Sequence, residues 1–210
     1  MNIYPLKFPY FLQKAAPSVI FTKTDQPYTV YLSFDDGPTP GVTDWVMDLL
    51  DEYAAAATFF CVGDKIRKHK NKFLEIVERG HRVANHSYFH LDGWHTPTKD
   101  YVADVERTEM LIKSLTHSKK LFRPPYGHIS YMQFRALKKL GYKIVLWTNI
   151  SGDFTPDLDI ENTIWSISSK TRSGDILVFH DSKKAEKNLK AILPQILHNL
   201  KLKGFSFEKL

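Results

Sequence analysis

Cysteine is nearly absent from this chain: Cys61 is the only one among 210 residues. No intrachain disulfide can form, and a thiolate metal cluster is ruled out. Cys61 lies inside the apolar run ATFFCV (57–62), which reads as a buried small hydrophobe and not as a nucleophile. Long apolar runs are missing as well, and nothing approaches the ~18 residues of a membrane-spanning helix. Pro5, Pro9, Lys14 and Pro17 break up the N-terminal stretch. Without a contiguous apolar segment and a small-residue cleavage site, it makes a poor signal peptide. Residues 1–27 are expected to pack on the rest as an extension. Linkers, low-complexity tracts and composition breaks are lacking too, so residues 1–210 read as one domain. The expected location is cytoplasmic or peripheral to the membrane, with the cell envelope as the alternative.

Charge of one sign is present but not concentrated. The formal net charge is +6, which favours anionic surroundings. The densest basic cluster, KIRKHKNK (65–72), has helical spacing and reads as a solvated helix face. No nucleic-acid-binding module accompanies it, so nucleic acid is not an expected partner. The rest of the composition, 43% hydrophobic and 25% charged, is that of a soluble globular protein, expected as a monomer.

Short apolar runs alternate with runs of helical period. Strands are expected at 29–34, 57–62, 81–84, 120–122, 142–147, 175–179 and 204–207. Helices are expected at 43–53, from a cap at Asp64 to Arg79, from a cap at Thr98 onward, from a cap at Ser130 to Gly141, and over about 184–202. A helix–glycine–strand pattern recurs in ERGHRVA, KLGYKIV, RSGDILV and LKGFSF. Glycine just past a helix supplies a left-handed cap. Strand, helix, strand in succession implies parallel pairing with right-handed crossovers. The expected fold is α/β: a distorted (β/α) barrel of about seven parallel strands.

In such barrels chemistry sits at the C-terminal ends of strands. There the chain places Asp35 and Asp36, then Asn85, His86 and His90, then Arg123, then Asp153, then His180 and Asp181. Chance would put such groups after one or two strands, not five. Two histidines and one carboxylate form a three-ligand site with open positions, as a catalytic zinc site needs. His86 and His90 are spaced i, i+4, which on a helical turn would put both rings on one side. The HxxxH pattern alone says little; its company at the strand ends makes the metal reading. His69, His81, His117, His128 and His198 read as surface residues, and Trp45 and Trp165 fit helix core faces. Trp94 and His95, in LDGWHTP, fit either a sugar-stacking surface or a loop anchor.

These residues resemble the polysaccharide deacetylases with a NodB-homology domain, carbohydrate esterase family 4. SFDDG (33–37) is similar to the family's (T/S)FDDG, HSYFH (86–90) to HSxxH, RPPYG (123–127) to RxPYG, and LVFH (177–180) to LxxH. The four occur in the family's order, and the similarity spans about residues 28–208. The resemblance implies hydrolysis of N- or O-acetyl groups on sugars such as those of peptidoglycan or chitin-like glycans. It also implies one divalent metal ion, zinc first, with cobalt or manganese as alternatives.

Asp36, His86 and His90 are thereby implied as metal ligands, Asp35 as general base and Arg123 as its positioning partner. The Tyr126 N–H is implied as an oxyanion donor and His180 as general acid, with Asp153 raising its pKa. Leu177 is implied to line the acetyl pocket. The family's DxxDW departs here to Ile150-Ser151-Gly152-Asp153-Phe154, which changes the sugar-binding wall at Ile150 and Phe154. Three other readings stay open. One is a non-haem iron oxygenase built on the same ligand types. Another is a deacylase of the same superfamily acting on a non-polymer or non-sugar amide. The last is a catalytically weak carbohydrate-binding domain.

Overall fold

The computed structural model describes residues 17–210; the expected packing of residues 1–16 lies outside them. Nine strands and seven α-helices are present among the described residues. The strands are β1 (Val19–Ile20), β2 (Thr29–Asp35), β3 (Thr58–Cys61), β4 (Arg82–Asn85), β5 (Leu121–Phe122), β6 (Lys143–Val145), β7 (Asn149–Ile150), β8 (Ile176–His180) and β9 (Ser206–Glu208). They form one curled sheet in the order β1-β6-β5-β4-β3-β2-β8-β7, with β9 also on β2. Every strand pair is parallel. β9 occupies the first half of β2, at Thr29–Tyr31, and β3 pairs the second half, at Ser33–Asp35. The seven expected strands are all here. The two unforeseen ones, β1 and β7, have two residues each, too few to show a period.

The helices are α1 (Val42–Glu52), α2 (Gly63–Lys68), α3 (Lys70–Glu78), α4 (Thr98–Leu115), α5 (Tyr131–Lys139), α6 (Ile160–Lys170) and α7 (Glu186–Leu202). The helix expected over 64–79 is two, because His69 leaves helical geometry at φ −126°, ψ 46°. Asp64 sits in the first turn of α2 and not at its cap, where it pairs with Arg67 and Lys68. Thr98 likewise begins α4 and Pro97 caps it. Ser130 does cap α5: its hydroxyl accepts from Gln133 N–H, and the Gln133 side chain accepts from Ser130 N–H. Gly80, Gly141, Gly174 and Gly204, the four glycines of the recurring pattern, all have φ near +85°, as a left-handed link from helix to strand requires. The basic 65–72 cluster is largely paired, Lys72 bonding both Asp44 and Glu75. No helix among the described residues is long and apolar enough to cross a membrane.

β2 is buried along its whole length and alternates between two cores. Val30, Leu32 and Phe34 face α1 and α7, among Val46, Leu193 and Leu197. Tyr31 faces the concave interior with Phe60, Val145, Ile176 and Val178. The same alternation carries Ser33 and Asp35 to the interior face, so a strand built for burial delivers a carboxylate at its end. Trp45 packs against the helix-side core. Trp165 does not, being 62% exposed on α6; Ile164 and Ile167 supply that helix's buried stripe.

His81 differs from its expected surface placement. It is buried, its ring 5.4 Å from that of Phe59, and neither ring nitrogen has a hydrogen-bond partner among the described residues. Burial pulls its pKa down to about 4, Asp51 opposing and Lys209 and Arg79 assisting. The unfolded chain therefore binds a proton that the fold does not, between about pH 6.5 and 4. Stability should fall by roughly 3 kcal/mol across that window as pH drops. Denaturant melts of His81→Phe should show that slope removed; an unchanged slope would place the acid sensitivity elsewhere.

Candidate active site

Asp35 is the last residue of β2, and His180 the last of β8. They are register partners in the parallel ladder, so both side chains leave the same face at the same height. Beside them opens a cleft of about 440 Å³, lined by Asp35, Asp36, His86, His90 and His180 on its polar side. Pro124, Tyr126, Gly127, Trp147, Ile150, Phe154 and Lys184 complete the wall.

The chain beyond Asp35 is tightly held. Asp36 has φ 78°, a left-handed conformation that costs a non-glycine residue of order 1–3 kcal/mol. That turn separates the two neighbouring acids. Asp35 Oδ1 accepts from the Arg123 guanidinium at 2.6 Å, while Asp36 Oδ1 lies 3.1 Å from His90 Nε2 and 3.6 Å from His86 Nε2. Asp181, a further strand-end acid, does not enter the cleft. It is buried and accepts from Gly37 N–H at 3.0 Å and from the Thr43 hydroxyl at 2.5 Å. A Cβ on Gly37 would lie 2.0 Å from the Asp181 carboxylate, so only glycine fits. Asp181 therefore clasps the turn that positions Asp36.

The His86–His90 segment is not helical, contrary to the spacing argument. It is a loop with Ser87 at φ 62° and His90 at φ 57°, and its rings meet edge to face at 5.0 Å. Two braces hold it. Asn85 donates to Val105 O on α4 and accepts from Ser87 N–H, each at 2.9 Å. Asp104, also on α4, accepts from Tyr88 and Phe89 N–H. His86 Nδ1 lies 2.8 Å from Arg123 O; a carbonyl only accepts, so that nitrogen carries the proton and Nε2, on the Asp36 side, keeps its lone pair free for an ion.

Asp36, His86 and His90 each offer one donor atom, all within 4.8 Å of one another. Two ligands about 2.1 Å from a shared tetrahedral ion lie about 3.4 Å apart, which matches the separations of 3.1 and 3.6 Å. The donor set and the fixed His86 tautomer fit a divalent ion. Burial works to raise the Asp36 carboxyl, but the His90 hydrogen bond and the charges of His180, His86 and His90 outweigh it and hold it well below the carboxylate range. Burial lowers the His86 pKa to about 4, with the Asp35 charge opposing, so its ring is neutral and free to ligate at ordinary pH.

Arg123 is fully buried beneath the site. Besides Asp35 it donates to the Ser33 hydroxyl at 2.9 Å and Leu146 O at 3.3 Å, and its guanidinium lies 4.0 Å from the Phe60 ring centre. Burial lowers its pKa and Asp35 opposes that. Next to Asp35, His180 Nδ1 donates to Asp153 Oδ1 at 2.7 Å, while His180 N–H donates to Asp153 Oδ2 at 2.8 Å. The other ring nitrogen is left for the cleft. Burial pulls the imidazole down, but Asp153, then Asp36 and Asp35, raise it to about 9. Phe154 stands edge-on to His180 at 4.9 Å. Tyr126 lines the cleft with φ 60°.

Leu177 is a correction. It is 1% exposed and packs with the helix-facing residues of β8, not in the cleft wall. Strand alternation from His180 puts Val178 and Ile176 on the interior face and Leu177 on the other. Trp147 and Lys184 were not anticipated. Trp147 ends the YKIVLW run, a strand-end position that could have flagged it.

The comparisons with known proteins agree with this geometry. Residues 22–145 match the model of the family described as polysaccharide deacetylase. A peptidoglycan-N-acetylglucosamine deacetylase of Bacillus cereus is 31% identical over 180 residues, covering 85% of this chain and 84% of its own. A chitooligosaccharide deacetylase of Azorhizobium caulinodans is 28% identical over 160 residues, covering 75% and 76%. The solved structure of the Bc1960 peptidoglycan N-acetylglucosamine deacetylase superposes with a TM-score of 0.87 at 25% identity, over 97% of this chain and 95% of that one. Fold, site and sequence converge: the chain belongs to the polysaccharide deacetylase family, carbohydrate esterase family 4.

Proposed function

We propose that this protein is a metal-dependent hydrolase that removes acetyl groups from acetylated sugars of a glycan such as peptidoglycan or a chitin-like chain. One observation carries the reading: Asp35 and His180 stand side by side on neighbouring strands, facing one cleft that also holds the Asp36–His86–His90 donor set. Such a pair can serve as a base and an acid on one substrate. The relatives whose names specify N-acetylglucosamine and chitooligosaccharide substrates support the substrate class.

When bound by Asp36, His86 and His90, the ion would supply Lewis-acid polarisation of the acetyl carbonyl and acidify a water. Asp35 takes a proton from the attacking water as its oxygen bonds to the carbonyl carbon. Arg123 fixes the oxygen not used as base. The Tyr126 N–H, presented by a turn stiffened by Pro124 and Pro125, donates to the developing oxyanion. His180 Nε2–H then gives its proton to the departing sugar nitrogen, the carbon–nitrogen bond breaks, and acetate and the amine leave. The wall of Trp147, Ile150 and Phe154 offers apolar faces to the sugar ring. With Ile150 where the family places an acid, no carboxylate stands at that point of the wall.

His180 works protonated, so activity falls as pH rises through its pKa, which Asp153 holds above the ordinary 6.5. Asp153→Asn should move the alkaline limb of kcat/KM towards pH 6.5 and lower the plateau. A limb that stays in place would separate Asp153 from proton delivery. The reading as a whole is tested by incubating metal-loaded protein with acetylated chitooligosaccharides and peptidoglycan fragments and measuring acetate and new amine. Equimolar appearance of both is expected. Glycan binding without acetate would instead favour the binding-domain reading.

A further inference from the structure

Trp94 lies outside the cleft wall, yet its loop is held as firmly as the ligands. Asp92 Oδ1 accepts from Trp94 N–H and pairs with His128 Nδ1, each at 2.9 Å, and Oδ2 pairs with His95 Nδ1 at 2.9 Å. Gln133 donates to Gly93 O at 2.7 Å and Thr96 O at 2.9 Å. A Cβ on Gly93 would come within 2.3 Å of His128 O, so the two loops touch backbone to backbone. All this polar bracing leaves Trp94 65% exposed. An anchoring tryptophan would bury its ring, the largest apolar area a side chain offers. Here the loop is anchored by other groups and the indole is displayed.

The display is oriented. Trp94 stacks on His128 at 3.6 Å with 7° between planes, which leaves one ring face to solvent. His128 lies 5.8 Å from Tyr126, and Tyr126 lies 4.7 Å from His90. Tyr126, itself 45% exposed, is part of the cleft wall. An aromatic surface thus runs unbroken from the ligand set to Trp94. His128 is not the plain surface histidine its sequence context implies; it is the backing of a platform.

We propose that the solvent face of Trp94 is a stacking site for a sugar ring of the glycan, at a position remote from the residue being deacetylated. A pyranose has an apolar C–H face rimmed by hydroxyls, and a fixed indole offers it a flat apolar surface. Because His128 and Asp92 fix the ring before binding, little side-chain freedom is lost on contact. The proposal rests on the deacetylase reading above. It adds that chain length is sensed through Trp94, so long substrates gain and short ones, confined to the cleft, do not.

The test compares wild type, Trp94→Phe and Trp94→Leu, all metal-loaded, on fully acetylated chitooligosaccharides from disaccharide to hexasaccharide. Wild type should prefer the hexasaccharide. In Trp94→Leu the ratio of kcat/KM for long over short substrate should fall about tenfold, chiefly through KM. Trp94→Phe should keep most of the ratio, since phenylalanine retains a stacking plane that leucine lacks. In parallel, calorimetry on Asp35→Asn with and without Trp94→Leu should show hexasaccharide binding weakened about tenfold and disaccharide binding unmoved. An active Trp94→Leu protein with the wild-type length ratio would overturn the platform while leaving the deacetylase reading intact. If wild type turned over no length at all, the deacetylase reading would fall, and the calorimetry would still decide whether Trp94 touches the glycan.

Discussion

Asp35→Asn should lower acetate release about a thousandfold and leave a bound divalent ion in place. The change is nearly isosteric. It removes only the capacity to take a proton, and a positioned general base contributes roughly 10²–10⁴. Asp36, His86 and His90 are untouched, so metal stoichiometry should match wild type. The variant also leaves Arg123 buried without its anionic partner at 2.6 Å, and stranding a buried charge costs stability. The melting temperature should therefore drop, with Ser33 and Leu146 still holding the guanidinium. Metal analysis and a melt on the same preparation separate lost chemistry from lost fold. Wild-type turnover in a folded Asp35→Asn protein would remove Asp35 from the mechanism.

Asp36→Ala should do the reverse. Losing one of the three proposed ligands should weaken binding of the ion by more than about a hundredfold, beyond what removing an outer-shell partner costs. Activity should fall with occupancy and recover partly in excess metal. Asp35→Asn should not respond to added metal at all. That contrast assigns different tasks to two adjacent acids, and the structure gives the reason they can differ: the positive φ at Asp36 turns its carboxylate towards His90 while Asp35 stays on Arg123. Equal metal affinity in Asp36→Ala would contradict the ligand assignment.

The site was legible in the sequence to the extent that strand ends carry it. Asp35, Asp36, Arg123, Asp153 and His180 follow recognisable apolar runs, and parallel strands bring their ends to one rim. What surrounds them was less legible. Helical spacing suggested a turn for His86 and His90, but Ser87 and His90 take left-handed backbone that local propensity disfavours; Asn85, at the end of β4, and Asp104, on α4, enforce it through contacts between β4, the loop and α4 that are distant in sequence. Asp181 looked like another cleft acid, and its role as a clasp depends on Gly37 and Thr43, about 140 residues earlier. Leu177 went to the wrong face because a motif match ignores the two-residue alternation of a strand. His81 and Trp165 were placed by residue type, and tertiary packing reversed both. Trp94 was open between anchor and sugar surface; only the bracing by Asp92 and Gln133 resolves it towards display.

The most direct test is a reconstitution titration. Wild-type protein is stripped with a chelator, dialysed, and titrated with zinc, cobalt or manganese while acetate release from an acetylated chitooligosaccharide is followed. The stripped protein should show no turnover, and activity should rise linearly and break at one ion per chain with at least one of the three. Full turnover without metal, or none with any of them from protein that remains folded and binds glycan, would contradict a metal-dependent hydrolase.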